Sequence, residues 1–178
     1  MGTWKYLRVI LLPVMGTAVI PGVILWLTGP DTLGLWQSVP EARVALLVLG
    51  GALICLGLVL TVATIRLFVM VGKGTPAPWN PPQRLVVRGV YRHVRNPMIS
   101  GVMLVVLGEG VLAASLPLLG LFALALIVNV VYIPLSEEPG LAKRFGDDYL
   151  TYKQNVPRWI PRLRPWPTDS PGQETTIP

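Results

Sequence analysis

The residues best suited to do chemistry lie in two polar clusters that a long apolar stretch separates. The first cluster contains Arg92, His93 and Arg95, and the second begins with Glu137 and Glu138. A carboxylate binds an ammonium group, and a guanidinium binds a carboxylate, through charge-assisted hydrogen bonds. An imidazole ring exchanges a proton near neutral pH. We therefore predict one polar site, provided that the fold brings the two clusters together.

The apolar stretch between the clusters predicts a helical hairpin. Residues Met98 to Ser115 and Leu116 to Leu135 each come close to the length of about 20 apolar residues that crosses a bilayer. Only the turn around Ser115, Leu116 and Pro117 separates them. A tight hairpin returns the chain to the side that it left, so we expect both clusters at one face of a membrane.

The composition indicates a membrane protein. The chain has 178 residues, of which 52% are hydrophobic and 13% are charged, whereas a soluble domain carries about 25% charged residues. Two more apolar segments, Val9 to Leu27 and Ala42 to Val71, precede the hairpin. We therefore predict an all-α polytopic membrane protein with about four transmembrane helices.

The distribution of charge predicts orientation and partners. The net charge is +6, and the lysines and arginines concentrate before the first span, between the second and third spans, and after the fourth. Positively charged connections stay on the cytoplasmic side, so we expect both termini there, in a bacterial inner (cytoplasmic) membrane. The cations are expected to meet membrane lipids and not nucleic acid.

Three regions are predicted along the chain. Residues 1–71 hold the two N-terminal transmembrane helices. Residues 72–164 form a catalytic core, with a Pro- and Gly-rich interfacial loop, the hairpin and cytoplasmic C-terminal helices. Residues 165–178 are predicted to be a disordered tail, because they are rich in Pro, Thr and Ser.

Three motifs carry a resemblance to a known family. They are Gly89-Val90-Tyr91-Arg92-x-Val94-Arg95-Asn96-Pro97-Met98-x-x-Gly101, then Glu137-Glu138-x-x-Leu141-x-x-x-Phe145-Gly146-x-x-Tyr149-x-x-Tyr152, then Val156-Pro157-Arg158-x-Ile160-Pro161. In order and spacing these motifs resemble the isoprenylcysteine carboxyl methyltransferase and phospholipid methyltransferase group. Those are integral membrane enzymes that use S-adenosylmethionine.

The resemblance implies a cytoplasmic S-adenosylmethionine pocket formed by the 72–97 loop and the C-terminal helices. One of Glu137 and Glu138 would bind the ammonium group of the cofactor, and Arg92 or Arg95 its carboxylate. Catalytic roles are predicted for His93 and Glu138. The other residues predicted to line the pocket are Gln83, Leu85, Val86, Tyr91, Asn96, Pro97 and Met98.

Three departures from the family pattern bear on the methyl acceptor. Asn96 stands where many relatives have histidine, and Ile99 where tyrosine is common. Residues 131–133, Val-Tyr-Ile, stand where the isoprenylcysteine enzymes carry an arginine that holds the substrate carboxylate. We therefore expect a less charged lipophilic acceptor that enters from the bilayer and is methylated on an amine, thiol or hydroxyl. The alternatives are a sterol-reductase-like enzyme that binds NADPH and a non-catalytic membrane protein of the same fold.

Two residues keep alternative interpretations. His93 is either a general base or an interfacial residue. Glu109, between Gly108 and Gly110 in the third span, is either part of a functional site, as carboxylates in a bilayer often are, or a residue near the far end of its helix that reaches headgroups. No group of His, Cys and Asp with metal-ligand spacing occurs in the sequence, so no metal is predicted.

Overall fold

The computed structural model describes residues 11, 13–70 and 85–167. Within these residues the protein is helical and contains no strand, as the sequence predicts. Residues 72–84, which hold most of the predicted interfacial loop and Gln83, lie outside the described part of the chain.

The N-terminal half forms one short and one long apolar helix. A π-helical turn, Met15–Val19, continues directly into α1, Ile20–Thr28. A short helix α2, Leu35–Ser38, then leads to the long helix α3, Pro40–Met70. Helix α3 agrees closely with the predicted span of residues 42–71.

The predicted helical hairpin is present. Helix α4, Pro97–Leu112, and helix α5, Leu116–Tyr132, are joined by three residues. Ala114 in this connection adopts a left-handed conformation (φ 46°), and the Ser115 amide donates to the Gly110 carbonyl at 2.9 Å. Pro117 suits the first turn of α5, where its missing N–H has no partner to lose.

The second helix of the hairpin does not stop at its apolar end. A π-helical turn, Ile133–Glu137, joins α5 to the polar helix α6, Glu138–Asn155. Gly146 interrupts α6 with a non-helical backbone (φ 56°, ψ −134°). Glycine adopts this conformation without a steric penalty.

Helix length and composition support membrane insertion. Two helices in the described chain, Glu41–Leu67 and the apolar part of Leu116–Asn155, are long and apolar enough to cross a bilayer. The helices Met15–Thr28 and Pro97–Leu112 are apolar but shorter, so the count of four spans stays a prediction. Large apolar side chains such as Val48, Val59 and Ile127 are exposed on the outer surface, as expected for contact with lipid.

Two pairs of glycines allow α3 and α4 to pack at close range. A methyl group on Gly57 would lie 2.6 Å from the Gly101 carbonyl oxygen, and one on Gly50 would lie 2.7 Å from the Gly108 carbonyl oxygen. In the same way, a methyl group on Gly101 or Gly108 would lie within 3 Å of the carbonyl oxygen of Gly57 or Gly50, respectively. Such small residues are common where membrane helices meet. The close contact of α3 with α4 fixes the position of the N-terminus of α4, where the first polar cluster ends.

The predicted boundary of the C-terminal tail at residue 165 is wrong. Trp166 is buried, and its ring centroid lies 6.0 Å from that of Tyr152. The indole completes an apolar cluster with Val87, Tyr149 and Val156. The folded part therefore extends to Trp166. Burial of a large aromatic ring removes much apolar surface from water, and this stabilises the packed position of the segment.

Candidate cofactor and acceptor site

One buried carboxylate joins the two polar clusters. Glu138 Oε1 accepts hydrogen bonds from Arg95 Nη1 and from Arg158 Nε, both at 2.7 Å. Lys153 Nζ lies 2.8 Å from Glu138 Oε2. The Glu138 side chain is 2% exposed, whereas those of Arg95, Arg158 and Lys153 are 10%, 25% and 43% exposed. The hairpin thus brings the two clusters into direct contact, and the group carries an excess of positive charge.

The two adjacent glutamates differ in their electrostatics. Burial raises the pKa of Glu138, but the bonds to Arg158 and Lys153 and the charge of Arg95 outweigh this and lower the pKa to about 2. For Glu137, burial and the neighbouring charge of Glu138 both raise the pKa above its ordinary value. Among the described residues Glu137 forms no ion pair. Among the described residues, Glu138 is therefore paired with three cations of the protein, whereas Glu137 has no cationic partner.

Tyr91 and Glu137 are neighbours, although one belongs to each polar cluster. The Tyr91 side chain is buried, and its pKa is raised by that burial and, to a smaller extent, by Tyr152 and Glu137. The Tyr152 hydroxyl donates to the Tyr91 backbone carbonyl at 2.8 Å. Tyr91 and Glu137, both predicted to contact the cofactor, are thus close enough to interact electrostatically.

The first polar cluster is held by the C-terminal segment, residues 156–166. The Arg95, Arg162 and Trp166 amides donate to the carbonyls of Pro157, His93 and Arg92, each at 2.9 Å. Arg92 Nε also donates to the Trp166 carbonyl at 2.6 Å, and His93 Nδ1 lies 2.7 Å from the Arg162 carbonyl oxygen. Arg92 and His93 are therefore anchored to backbone groups and make no direct contact with Glu138 in the structure.

The other predicted pocket residues surround this arrangement. Val86 is buried and packs with Tyr91, and Leu85 packs against the aromatic cluster of Tyr149, Tyr152 and Trp166. Pro97, the first residue of α4, is buried, while Asn96 and Met98 beside it are half-buried. Asn96 is the N-cap residue of α4 and accepts the Ser100 amide through its backbone carbonyl at 3.0 Å.

The described residues line a partly open apolar cavity of about 560 Å³ beside the first polar cluster. Side chains from α3, α4, α5 and the C-terminal segment line it, with His93, Ser100 and Trp159 among them. Its location differs from the predicted pocket, which depends on the 72–97 loop and therefore largely on residues outside the described chain. The volume falls within the range of about 300–1,000 Å³ that is usual for small-molecule sites.

Sequence reasoning missed the contributions of Lys153 and Ser100. Lys153 lies at the end of a polar helix with many charges, so nothing in the sequence singles it out as a partner of Glu138. Ser100 lies one turn after Asn96 on α4, and that spacing was the available signal.

Glu109 lies three residues before the end of α4, far along the helix from the polar clusters, which agrees with the interpretation of a residue near the far end of its span.

Comparison with known proteins agrees with these motifs. The family model for phospholipid methyltransferases matches residues 45–148. The protein-S-isoprenylcysteine O-methyltransferase of Schizosaccharomyces pombe is 34% identical over 84 residues, which is 47% of this chain and 36% of that protein. The chain thus covers about a third of the length of this curated relative.

Proposed function

Because the chain belongs to the phospholipid methyltransferase family, we propose that it is a membrane methyltransferase that uses S-adenosylmethionine at the cytoplasmic face. Its acceptor is a lipophilic small molecule or lipid that reaches the site from the bilayer. The observation that carries the proposal is the joining of the two family motifs through Glu138, because this contact builds one charged site at the end of an apolar bundle.

The donor set fits the methionine end of S-adenosylmethionine. That end carries an ammonium group and a carboxylate, and each needs a partner of opposite charge. Glu137 supplies the carboxylate for the ammonium group. The three cations around Glu138 exceed its charge and supply the positive potential for the carboxylate of the cofactor. When bound, S-adenosylmethionine provides a methyl carbon activated by a positively charged sulfur.

In this proposal the residues of the chain bind the cofactor, orient it and exclude water from the site. Glu137 and Tyr91 form the wall against the cofactor, and Glu138 keeps Arg95 and Arg158 in fixed positions. Asn96, Pro97 and Met98 begin α4 directly beside this wall. Holding two reactants in a fixed orientation supplies about 7–11 kcal/mol of the reduction in barrier for a transfer reaction.

The acceptor's approach from the bilayer has support in the exposed surface. Leu124, Ile127 and Val131 of α5 are exposed, and α5 also contributes side chains to the lining of the apolar cavity. A lipophilic molecule can therefore pass from lipid to the cavity without crossing a charged layer. The family match is to methyltransferases and does not favour the reductase alternative.

Calorimetric titration of the detergent-purified protein with S-adenosylmethionine tests the cofactor assignment. Glu137→Gln should weaken binding about ten- to a hundredfold, because it removes a charge-assisted hydrogen bond worth about 1.5–3 kcal/mol. Asp148→Asn is the matched control, since it neutralises an exposed carboxylate on the same polar helix and should bind normally.

The same titration decides between the alternatives. Heat of binding with NADPH and none with S-adenosylmethionine would support the reductase, and no binding of either would support a non-catalytic protein. Binding of S-adenosylmethionine with equal affinity by wild type and Glu137→Gln would remove Glu137 from the site. Incubation of the purified protein with labelled S-adenosylmethionine and extracted membrane lipids then identifies the class of acceptor.

A further inference from the structure

The polar groups in the apolar cavity are few, and none of them is permanently charged. Among the described residues that line the cavity, none is Asp, Glu, Lys or Arg. His93, Ser100 and Trp159 are the lining residues with polar side-chain atoms, and aliphatic and aromatic side chains such as Leu60, Leu104 and Phe122 form most of the rest. A carboxylate or phosphate in this cavity would be buried without a counterion, which is costly.

The hydrogen bond of His93 determines which of its ring nitrogens carries a proton. Nδ1 lies 2.7 Å from the Arg162 backbone carbonyl oxygen, and a carbonyl oxygen only accepts hydrogen bonds. Nδ1 is therefore the donor, so in the neutral ring Nε2 carries the lone pair. The described residues offer no hydrogen bond to Nε2, and His93 is one of the residues that line the cavity.

Ser100 provides a second polar group with no partner. Its hydroxyl oxygen is buried and, among the described residues, makes no hydrogen bond. Buried hydroxyl groups in proteins are nearly always hydrogen-bonded to protein or water. Because this oxygen has almost no accessible surface, the imidazole of His93 is the polar group of the lining that remains for a ligand. One imidazole on the lining of an apolar cavity indicates a ligand with a polar head and an apolar body.

We propose that the cavity holds the methyl acceptor. The acceptor is an apolar chain that ends in an uncharged thiol, hydroxyl or amine, and Nε2 of His93 takes up the proton of that terminal group. This inference rests on the proposed methyltransferase function and specifies its acceptor. His93 is the general base.

The transfer balances without a further reactant. The heteroatom forms a bond to the methyl carbon, and the bond from that carbon to the donor's sulfur breaks with its electron pair left on sulfur. The proton of the heteroatom goes to Nε2, so the ring becomes an imidazolium ion. Because His93 is half-buried, it can return this proton to water.

The single histidine makes the state of the ring directly measurable. His93 is the only histidine in the chain, so protein labelled with ¹⁵N-histidine gives the signals of one ring. We expect the tautomer with the proton on Nδ1, and a shift of the Nε2 signal when dodecanethiol is added but not when dodecyl methyl sulfide is added. A proton on Nε2, or the same response to both compounds, would overturn the proposal.

Two variants separate the base from the anchoring contact. His93→Asn keeps an N–H group that can donate to the Arg162 carbonyl but has no basic nitrogen, whereas His93→Ala loses both. General base catalysis contributes about 10²–10⁴-fold, so turnover of dodecanethiol should fall at least a hundredfold in both variants. Affinity for S-adenosylmethionine should stay unchanged in His93→Asn.

A charged acceptor provides the comparison. Wild type should methylate farnesylcysteine far more slowly than dodecanethiol, since the farnesylcysteine carboxylate would lie in the cavity without a counterion. Full turnover of dodecanethiol by His93→Asn would refute the base while leaving the methyltransferase intact. If no acceptor is methylated, the proposed function is refuted. The NMR response to dodecanethiol would then still decide whether the cavity binds a protic chain at His93.

Discussion

Neutralising the two adjacent glutamates should change the free energy of unfolding by very different amounts. In Glu138→Gln the side chain keeps its shape, but Arg95 and Arg158 lose the anionic oxygen that each contacts at 2.7 Å. Removing one partner of a buried ion pair costs about 3–5 kcal/mol. Lys153 is too exposed to add more than about 1 kcal/mol. In Glu137→Gln the charge that disappears is one that burial and Glu138 already disfavour.

The pKa of Glu138 gives a second estimate of the same magnitude. Its lowering from 4.5 to about 2 corresponds to about 3 kcal/mol of stabilisation at neutral pH. Because the pKa is lower in the folded state than in the unfolded state, this contribution is fully present above pH 4.5. It is lost as the pH falls from 4.5 towards about 2.

Equilibrium unfolding in mixed micelles, followed by circular dichroism, measures these effects. At neutral pH we expect Glu138→Gln to lose about 3 kcal/mol or more, and Glu137→Gln to lose nothing. Asp148→Asn should stay within about 0.5 kcal/mol of wild type, as exposed substitutions usually do. Between pH 4.5 and about 2, the stability of wild type should approach that of Glu138→Gln. Equal losses in the two glutamate variants, or a fully stable Glu138→Gln protein, would show that the three cations do not depend on Glu138.

Two further predictions concern packing and topology. Gly57→Ala should destabilise the protein by about 1–3 kcal/mol, because the new methyl group would lie 2.6 Å from a backbone oxygen of α4. Gly51→Ala is the control, since its methyl group meets nothing within 4 Å, and it should not destabilise the protein in the same unfolding assay. Equal stability of the two variants would contradict the close contact. Cysteines placed at Gln37 and Asn155 in a protein without Cys55 should react with membrane-impermeant maleimide from opposite sides of the membrane, and reaction from one side would contradict the predicted orientation.

The helices were predictable because their signal is local. The length of an apolar run gives the span, and the proline and serine between residues 115 and 117 give the turn, so α3 and the α4–α5 hairpin agree with the prediction within a few residues. Gly146 was likewise recognisable as a helix break. The glycine pairs between α3 and α4 also had a readable signal, because Gly50 and Gly57 on one helix have the same spacing as Gly101 and Gly108 on the other.

The C-terminal segment could not be predicted, because its contacts are made mainly by the backbone. Amides of Arg95, Arg162 and Trp166 donate to carbonyls across a large sequence separation, and any residue except proline offers the same amide. Prolines in residues 157–167 indicate an irregular chain, and an irregular chain at a terminus is usually exposed. Here the buried Trp166 reverses that expectation, and the indole ring was the only local sign of it.

The roles within the site could not be read from charge alone, because neighbouring cations have different partners. Arg92, His93 and Arg95 form one basic run in the sequence, yet Arg92 binds the Trp166 carbonyl, His93 binds the Arg162 carbonyl, and Arg95 binds Glu138. The short helical turn Gly89–Arg92 and the residues after it thus give each of the three side chains a different partner. In the proposed function, the pairing of Arg95 with Glu138 leaves the ammonium group of the cofactor to Glu137, and the anchoring of His93 through Nδ1 leaves Nε2 as the base. The same contacts that fold the polar end thus determine which groups remain available to ligands.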